Sequence, residues 1–274
     1  TTLVSRFASQ NGIKVVLSAD GGDELFSGYN RYPNAISKIK KLDNPLIHLI
    51  LKGRSILKNN TTYYLVEDKI SKLDDYYNSK SYGDKYHTII KSLSHKEIKN
   101  LILKNFGGLS RHKVHDPQSK SLLSKILAYD FSTYLTDDIL TKVDRATMSQ
   151  SIEGREPFLD VNLIEFAARL PDHFKMESGN KKRILKDLTH KYVPQEMMNR
   201  PKMGFGVPIE IWLKSELKHV TNELLSENFL KKQDLFYVEN LTHLKNNYLK
   251  GSTFPPERIG RLILFQNWWK HWML

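Results

Sequence analysis

Three carboxylates, Asp20, Asp23 and Glu24, surround the adjacent glycines Gly21 and Gly22 in the stretch Leu17-Ser18-Ala19-Asp20-Gly21-Gly22-Asp23-Glu24-Leu25-Phe26. Carboxylates this close can hold a cation or take a proton, and neighbouring glycines let backbone N–H groups approach a phosphate or acyl oxygen. A second charged group lies in Glu153-Gly154-Arg155-Glu156-Pro157-Phe158-Leu159-Asp160. A third is Lys181-Lys182-Arg183, ahead of an apolar-periodic segment. Positive charge at a helix N-terminus opposes the helix dipole unless an anion sits there, which makes this cluster a candidate phosphate site. Arg200 and Lys202 add two cations in a loop dense in glycine and proline.

These groups need elements to hold them. Val15-Val16-Leu17 reads as a short buried strand. Before it, Leu3, Val4, Phe7 and Ala8 at helical spacing predict a helix over 3–10, ended by Asn11-Gly12. Leu25, Phe26 and Tyr29 resume helical spacing after the acidic loop. Ligands of open α/β sheets sit beyond the carboxyl ends of strands, so the loop stands where a ligand would. No second Val/Ile-rich strand follows, and a parallel strand needs a partner; its sheet neighbours are therefore expected N-terminal to Thr1.

The remainder reads as helix. Ser94-His95-Lys96-Glu97 has capping-box spacing and predicts a helix over 94–105. The tyrosines of 60–83 suit lid or interface contacts, and Phe106-Gly107-Gly108-Leu109-Ser110 suits a helix-terminating glycine pair. The strongest helical pattern covers 119–151, with Thr136-Asp137-Asp138 as a second N-cap within it and Lys142, Asp144 and Arg145 as adjacent polar residues. Pro157 sets Glu156 extended, Asp160 caps a helix over 161–169, a basic helix covers 179–190, and an aromatic-rich helix covers 256–274.

Composition sets limits. A chain of 274 residues with 40% hydrophobic content can bury a core. Without cysteine there is no disulfide, thiolate metal site or cysteine nucleophile. No apolar run reaches the roughly 20 residues needed to span a bilayer, so a cytoplasmic protein away from membranes is expected. The net charge of +12 suits an anionic small molecule or a lysine-rich surface. The chain carries no nucleic-acid-binding motif to go with that charge.

Taken together and in order, Leu17–Tyr29, Lys142-Val143-Asp144-Arg145, Glu153–Asp160, Asn180-Lys181-Lys182-Arg183-Ile184-Leu185-Lys186 and Arg200-Pro201-Lys202-Met203-Gly204-Phe205 resemble the synthetase domain of the glutamine-dependent asparagine synthetase family. The resemblance implies a mainly α chain with a fragment of an α/β parallel sheet of the adenine-nucleotide α-hydrolase-like, ATP-pyrophosphatase type. Residues 1–213 would be the C-terminal part of the synthetase domain and 214–274 its helical extension. It implies an ATP- and Mg²⁺-dependent ligase that adenylates a carboxylate, aspartate favoured, and makes an amide with ammonia from glutamine, releasing AMP and pyrophosphate. Leu17, Ser18, Ala19, Gly21 and Gly22 would lie along the nucleotide and Asp23 would serve the metal. Asp20, where the family often has glutamate, and Glu153 would handle the ammonia proton. Lys182 would hold the transition-state and pyrophosphate charge, with Lys202 a second cation for that anion. Arg155 and Glu24 would meet the substrate. The family's Ser-Gly-Gly-x-Asp-Ser loop and its N-terminal glutaminase domain are absent from this sequence, so the chain alone is expected to be inactive. A homodimer remains open. The alternatives are a ligase with another acceptor, closing lactams or macrocycles or amidating polysaccharide precursors, and a non-catalytic helical assembly module.

Overall fold

The computed structural model describes residues 1–47, 64–103, 121–198, 207–251 and 255–274. Two compact units emerge: the first draws on Thr1–Thr61, Tyr76–Ile90 and Ser110–Arg200, the second on Thr62–Asp75, Lys91–Leu109 and Pro201–Leu274. The described part is mainly helical, with two small sheets.

The first unit opens with helix α1 (Thr2–Gln10), strand β1 (Val15–Leu17), helix α2 (Gly22–Phe26) and helix α3 (Arg31–Leu42). Gly12, at φ 76°, reverses the chain between α1 and β1. β1 has a parallel partner inside the chain: β2 (Glu153–Arg155), in the register Val15↔Glu153, Val16↔Gly154, Leu17↔Arg155. This corrects the expectation that no second strand follows. Glu-Gly-Arg carries no β-branched residue, and the pairing rests on backbone hydrogen bonds rather than on an apolar face. β1 is also not the buried strand its composition suggests. Leu17 is 73% exposed, and Leu3, Val4 and Phe7 on α1 are exposed as well.

The long helix 122–148 runs without interruption as Leu122–Asp130, a π-helical stretch Phe131–Leu140 and Thr141–Met148. The second N-cap expected at Thr136-Asp137-Asp138 does not form. Hydroxyls in this stretch bond back to the helix: Ser132 donates to the Ala128 carbonyl (2.7 Å), Thr133 to Tyr129 (2.7 Å) and Thr141 to Thr136 (3.1 Å). Such back-bonding competes with the i−4 ladder and accounts for a widened turn in place of a break.

Asp130, fully buried where the π stretch begins, ties the unit together. Its Oδ2 accepts from the Arg31 guanidinium (3.0 and 2.6 Å) and from the Tyr86 hydroxyl (2.9 Å). Arg31 is held between the rings of Tyr29 (4.4 Å) and Tyr134 (4.1 Å). Around this hub pack Tyr32, Ala35, Ile39, Tyr76, Tyr86, Leu123 and Ile126. Tyr76 and Tyr77 are thus packed residues, with hydroxyls bonded to Asp43 and to the Leu42 carbonyl.

Helix Val161–Arg169 is capped as expected by Asp160, which accepts from the Asn162 and Leu163 amides. The basic helix is shorter than its expected 179–190 and spans Arg183–Thr189. Asn180–Lys181 instead pairs antiparallel with Met176–Glu177, and Ser178 (φ 48°) and Gly179 (φ 82°) make the left-handed turn between them.

In the second unit the capping box at Ser94 and Glu97 forms, heading a helix His95–Leu101. Glu97 also receives Arg258 at 2.8 Å in a buried ion pair. The C-terminal helix is Pro256–Trp272; Ile259 and Ile263 pack with Leu213, Leu224, Leu241 and Tyr248. The segment 106–110 lies outside the described residues.

Asp130→Ala leaves the Arg31 guanidinium and the Tyr86 hydroxyl without their acceptor. Breaking a buried ionic hub in this way costs about 3 kcal/mol or more. Urea unfolding monitored by circular dichroism should therefore show a midpoint drop at unchanged slope, with Asp130→Asn falling between variant and parent.

Candidate functional site

The site grows from the C-terminal end of β1. The Ser18 amide continues the ladder by donating to the Arg155 carbonyl (2.9 Å), and the Glu153 amide donates to the Lys14 carbonyl (2.9 Å). Ser18 Oγ donates to the carboxylate of Asp20, closing a tight polar turn above the strand. Gly21 takes φ 87° and heads α2. Its glycine identity is doubly required: that φ disfavours any side chain, and a Cβ there would lie 2.5 Å from Leu159 Cδ2. A Cβ on Gly22 would touch the Phe158 ring at 3.3 Å. The glycine pair of one motif is the seat for the Phe158-Leu159 pair of another. The loop and the 153–160 segment are one surface.

On the far side of α2 the third motif arrives. The Lys182 amide donates to the Phe26 carbonyl (3.1 Å), and Lys182 itself sits at φ 53° as the N-cap of its helix. From there its Nζ lies 2.9 Å from Asp23 Oδ1, both side chains being partly exposed. The pair passes directly over Gly28, where a Cβ would fall 1.6 Å from Asp23 Oδ1 and 2.3 Å from Lys182 Cε. No other residue leaves room for the carboxylate and the ammonium to meet. The two are 159 residues apart in sequence, and their contact is set by the backbone bond at Phe26.

The structure thus joins the loop Leu17, Ser18, Ala19, Asp20, Gly21, Gly22 and Asp23 to Arg155 through the ladder and to Lys182 across α2, whereas Glu153 lies opposite Val15 at the start of β1. Glu153 and Arg155 share one face of β2 and pair with each other at 2.7 Å in the open. Glu24 is placed elsewhere. It turns inward at 1% exposure and accepts from the Tyr29 hydroxyl (2.9 Å), and burial raises its carboxyl above the usual carboxylate range. Lys202, with the rest of 200–205, lies outside the described residues.

One acidic neighbour was not singled out among the sequence candidates. Burial raises the Glu156 carboxyl, and the charges of Asp20 and Asp144 add to that rise. The signal was present: Glu156 stands within the 153–160 motif, and the following proline fixes it extended. Among the described residues no cluster of three or more metal-ligating side chains forms. A lone carboxylate such as Asp23 still suits Mg²⁺, which keeps its waters and binds through one or two carboxylates plus substrate phosphates.

The fold and loop define a helical protein whose parallel strand pair presents a carboxylate–ammonium couple at a strand-to-helix turn. The chain belongs to the asparagine synthase family, whose model matches residues 1–270. It is 27% identical over 261 residues to asparagine synthetase [glutamine-hydrolyzing] 1 of Bacillus subtilis, an alignment covering 93% of this chain and 40% of that protein. It is 30% identical over 274 residues to a Mycobacterium tuberculosis protein named as a glutamine-hydrolysing asparagine synthetase, with 93% and 39% covered. A rice protein, asparagine synthetase [glutamine-hydrolyzing] 2, is 26% identical over 134 residues, covering 45% of this chain and 23% of its own length. The chain therefore spans about 40% of the length of its first relatives. No solved structure matches it significantly.

Gly28→Ala forces Asp23 and Lys182 apart. A double-mutant cycle of Asp23→Asn with Lys182→Met in the parent should give a coupling of up to about 1 kcal/mol, as expected for a partly exposed pair. In the Gly28→Ala background the same cycle, read by chemical denaturation, should give none.

Proposed function

We propose that this chain is the C-terminal part of the synthetase domain of an ATP-dependent ligase. The enzyme activates a carboxylate, aspartate in the leading reading, by adenylation and passes it to ammonia derived from glutamine. Family membership supports the reaction class. The names of the relatives support glutamine as nitrogen source. The observation that carries the site is the Asp23–Lys182 pair at 2.9 Å, set at the carboxyl end of a parallel strand. The sheet fragment is taken as part of an adenine-nucleotide α-hydrolase-like fold, in which the nucleotide lies over this strand end.

Adenylation builds charge on the departing pyrophosphate, and fixed cations aimed at that charge lower the barrier. Lys182 is placed to do this. It is held at its backbone amide by the Phe26 carbonyl and at its Nζ by Asp23, which supports its readiness to meet an arriving anion. Asp23 would be the residue to hold Mg²⁺, which would neutralise triphosphate charge. Leu17, Ser18, Ala19 and the Gly21-Gly22 turn line the nucleotide side in this reading. Asp20 and Glu153 are the acceptors for the ammonia proton, and the guanidinium of Arg155 orients the substrate carboxylate bidentately. Lys202 supplies a second cation.

The exposed Val15 and Leu17 of β1 and the exposed Leu3, Val4 and Phe7 of α1 support a further part of this reading. A two-stranded parallel sheet with an open apolar flank is incomplete by the physics of parallel sheets, which are covered on both faces. Further strands from the remaining length of such a synthetase complete the site, and this chain alone does not turn over.

The test is release of AMP and pyrophosphate from ATP and aspartate with Mg²⁺. The 274-residue chain alone should give none, and a polypeptide carrying the rest of the relatives' length should restore it. Lys182→Met in the restored enzyme should lower kcat about 100-fold or more, the scale for removing one transition-state charge contact. Turnover by the chain alone overturns the incomplete-site reading, and an unaffected Lys182→Met enzyme overturns the role of that lysine.

A further inference from the structure

A cavity of about 220 Å³ opens inside the first unit, away from the Asp23–Lys182 pair. It lies between α2, the long helix 122–148 and helix Val161–Arg169, and Leu25, Leu127, Phe131 and Ile164 make most of its wall. Ala168, which is exposed, stands at its rim and leaves it open to solvent. One cation lines it: Lys175, the last residue of the short helix Asp172–Lys175, whose side chain is 3% exposed.

Among the described residues Lys175 makes no ion pair and no side-chain hydrogen bond. The nearest acidic influence is Asp172, which is engaged with the hydroxyls of Ser121 and Ser124. Glu24, on another part of the wall, is bonded to Tyr29. A largely buried lysine with no direct ion-pair partner is costly for a fold to hold. Burial accordingly pushes the Lys175 ammonium below its ordinary range. With no direct partner among the described residues, the ammonium keeps its access to solvent only through this open cavity. Lys175 ends at an apolar hollow large enough for a small molecule.

We propose that this cavity binds a small organic monocarboxylate with a compact apolar body, its carboxylate on Lys175 and its body against Leu25, Leu127 and Ile164. Size and chemistry set the class. A cavity of about 150 Å³ admits benzene, so this one takes an acid of about seven to nine non-hydrogen atoms. The apolar wall offers few donors, so a polyol or a phosphate would lose more hydration than the cavity returns. One buried cation matches one negative charge. The occupant relieves the unpaired charge and fills the void, and it links ligand binding to α2, which carries Asp23 on its other side.

Calorimetric titration of the 274-residue chain with isovalerate and benzoate, and with their neutral amides, tests this. The acids should bind saturably at one per chain and raise the melting temperature, and the amides should bind at least tenfold more weakly. Lys175→Met keeps the apolar stem and removes the charge; it should lose the acids at least tenfold and melt above the parent. Ala128→Leu fills the cavity from the long helix and should lose acids and amides alike while leaving Lys175 in place. Equal binding of acids and amides, retained acid binding in either variant, or no saturable binding of any probe overturns the proposal. Should Lys175→Met fail to fold, the amide comparison and Ala128→Leu decide.

Discussion

Three residue pairs in a parallel ladder govern where Glu153 and Arg155 stand against the acidic loop. Val15–Leu17 and Glu153–Arg155 lie side by side through backbone bonds alone, extended by Ser18 to Arg155 and Glu153 to Lys14. With period-two alternation, a slip of one residue would reverse both faces of β2 and carry Glu153 and Arg155 to the opposite side. The register is held from outside the ladder. Leu159 and Phe158 sit on Gly21 and Gly22, and the left-handed turn at Gly21 permits only that seating. The glycines that invite comparison with a phosphate-approach loop thus serve packing: the space of their missing Cβ atoms is taken by Leu159 and Phe158.

Behind the ladder, Asp130 sets the position of α3. A carboxylate held by Arg31 and Tyr86 fixes the start of α3, and the two tyrosine faces on Arg31 join it to the π-helical stretch. The π turn displaces Tyr134 relative to a regular helix, and that ring is one half of the Arg31 sandwich. The irregularity is therefore part of how the helix meets its neighbours. π-helical turns recur next to functional sites for this reason: they re-aim side chains without ending the helix.

What the sequence disclosed follows from whether a feature is local. The strand Val15–Leu17, the Asp160 cap and the Ser94/Glu97 box are each set by residues within a few positions, and each appears where its residues place it. β2 was not legible, because Glu-Gly-Arg has no strand composition and becomes a strand only when β1 offers it bonds. The π stretch was hidden because Thr136-Asp137-Asp138 has the chemistry of a cap, and only the hydroxyl back-bonds decide between cap and bulge. The motif residues were recognisable singly, but the contact of Asp23 with Lys182 was not, since it depends on the Lys182 amide finding the Phe26 carbonyl. Lys175 carried no sequence signal at all: its significance is its burial, and burial belongs to the fold.

The two lysines flanking α2 illustrate how environment, not residue type, assigns a charge its task. Lys182 is met by Asp23 and stays partly solvated, so it can be transferred between anions at small cost. Lys175 is largely buried and has only Asp172 as a nearby negative charge, so burial pushes its ammonium below its ordinary range. α2 spans just five residues between them, with Asp23 directed to one and Leu25 lining the hollow of the other. A helix that short has no rigidity of its own; its orientation is the resultant of Gly21 against Leu159, the Phe26 carbonyl against Lys182, and Leu25 against the apolar wall. Leu25 is the support through which the hollow adjoins the helix that carries Asp23.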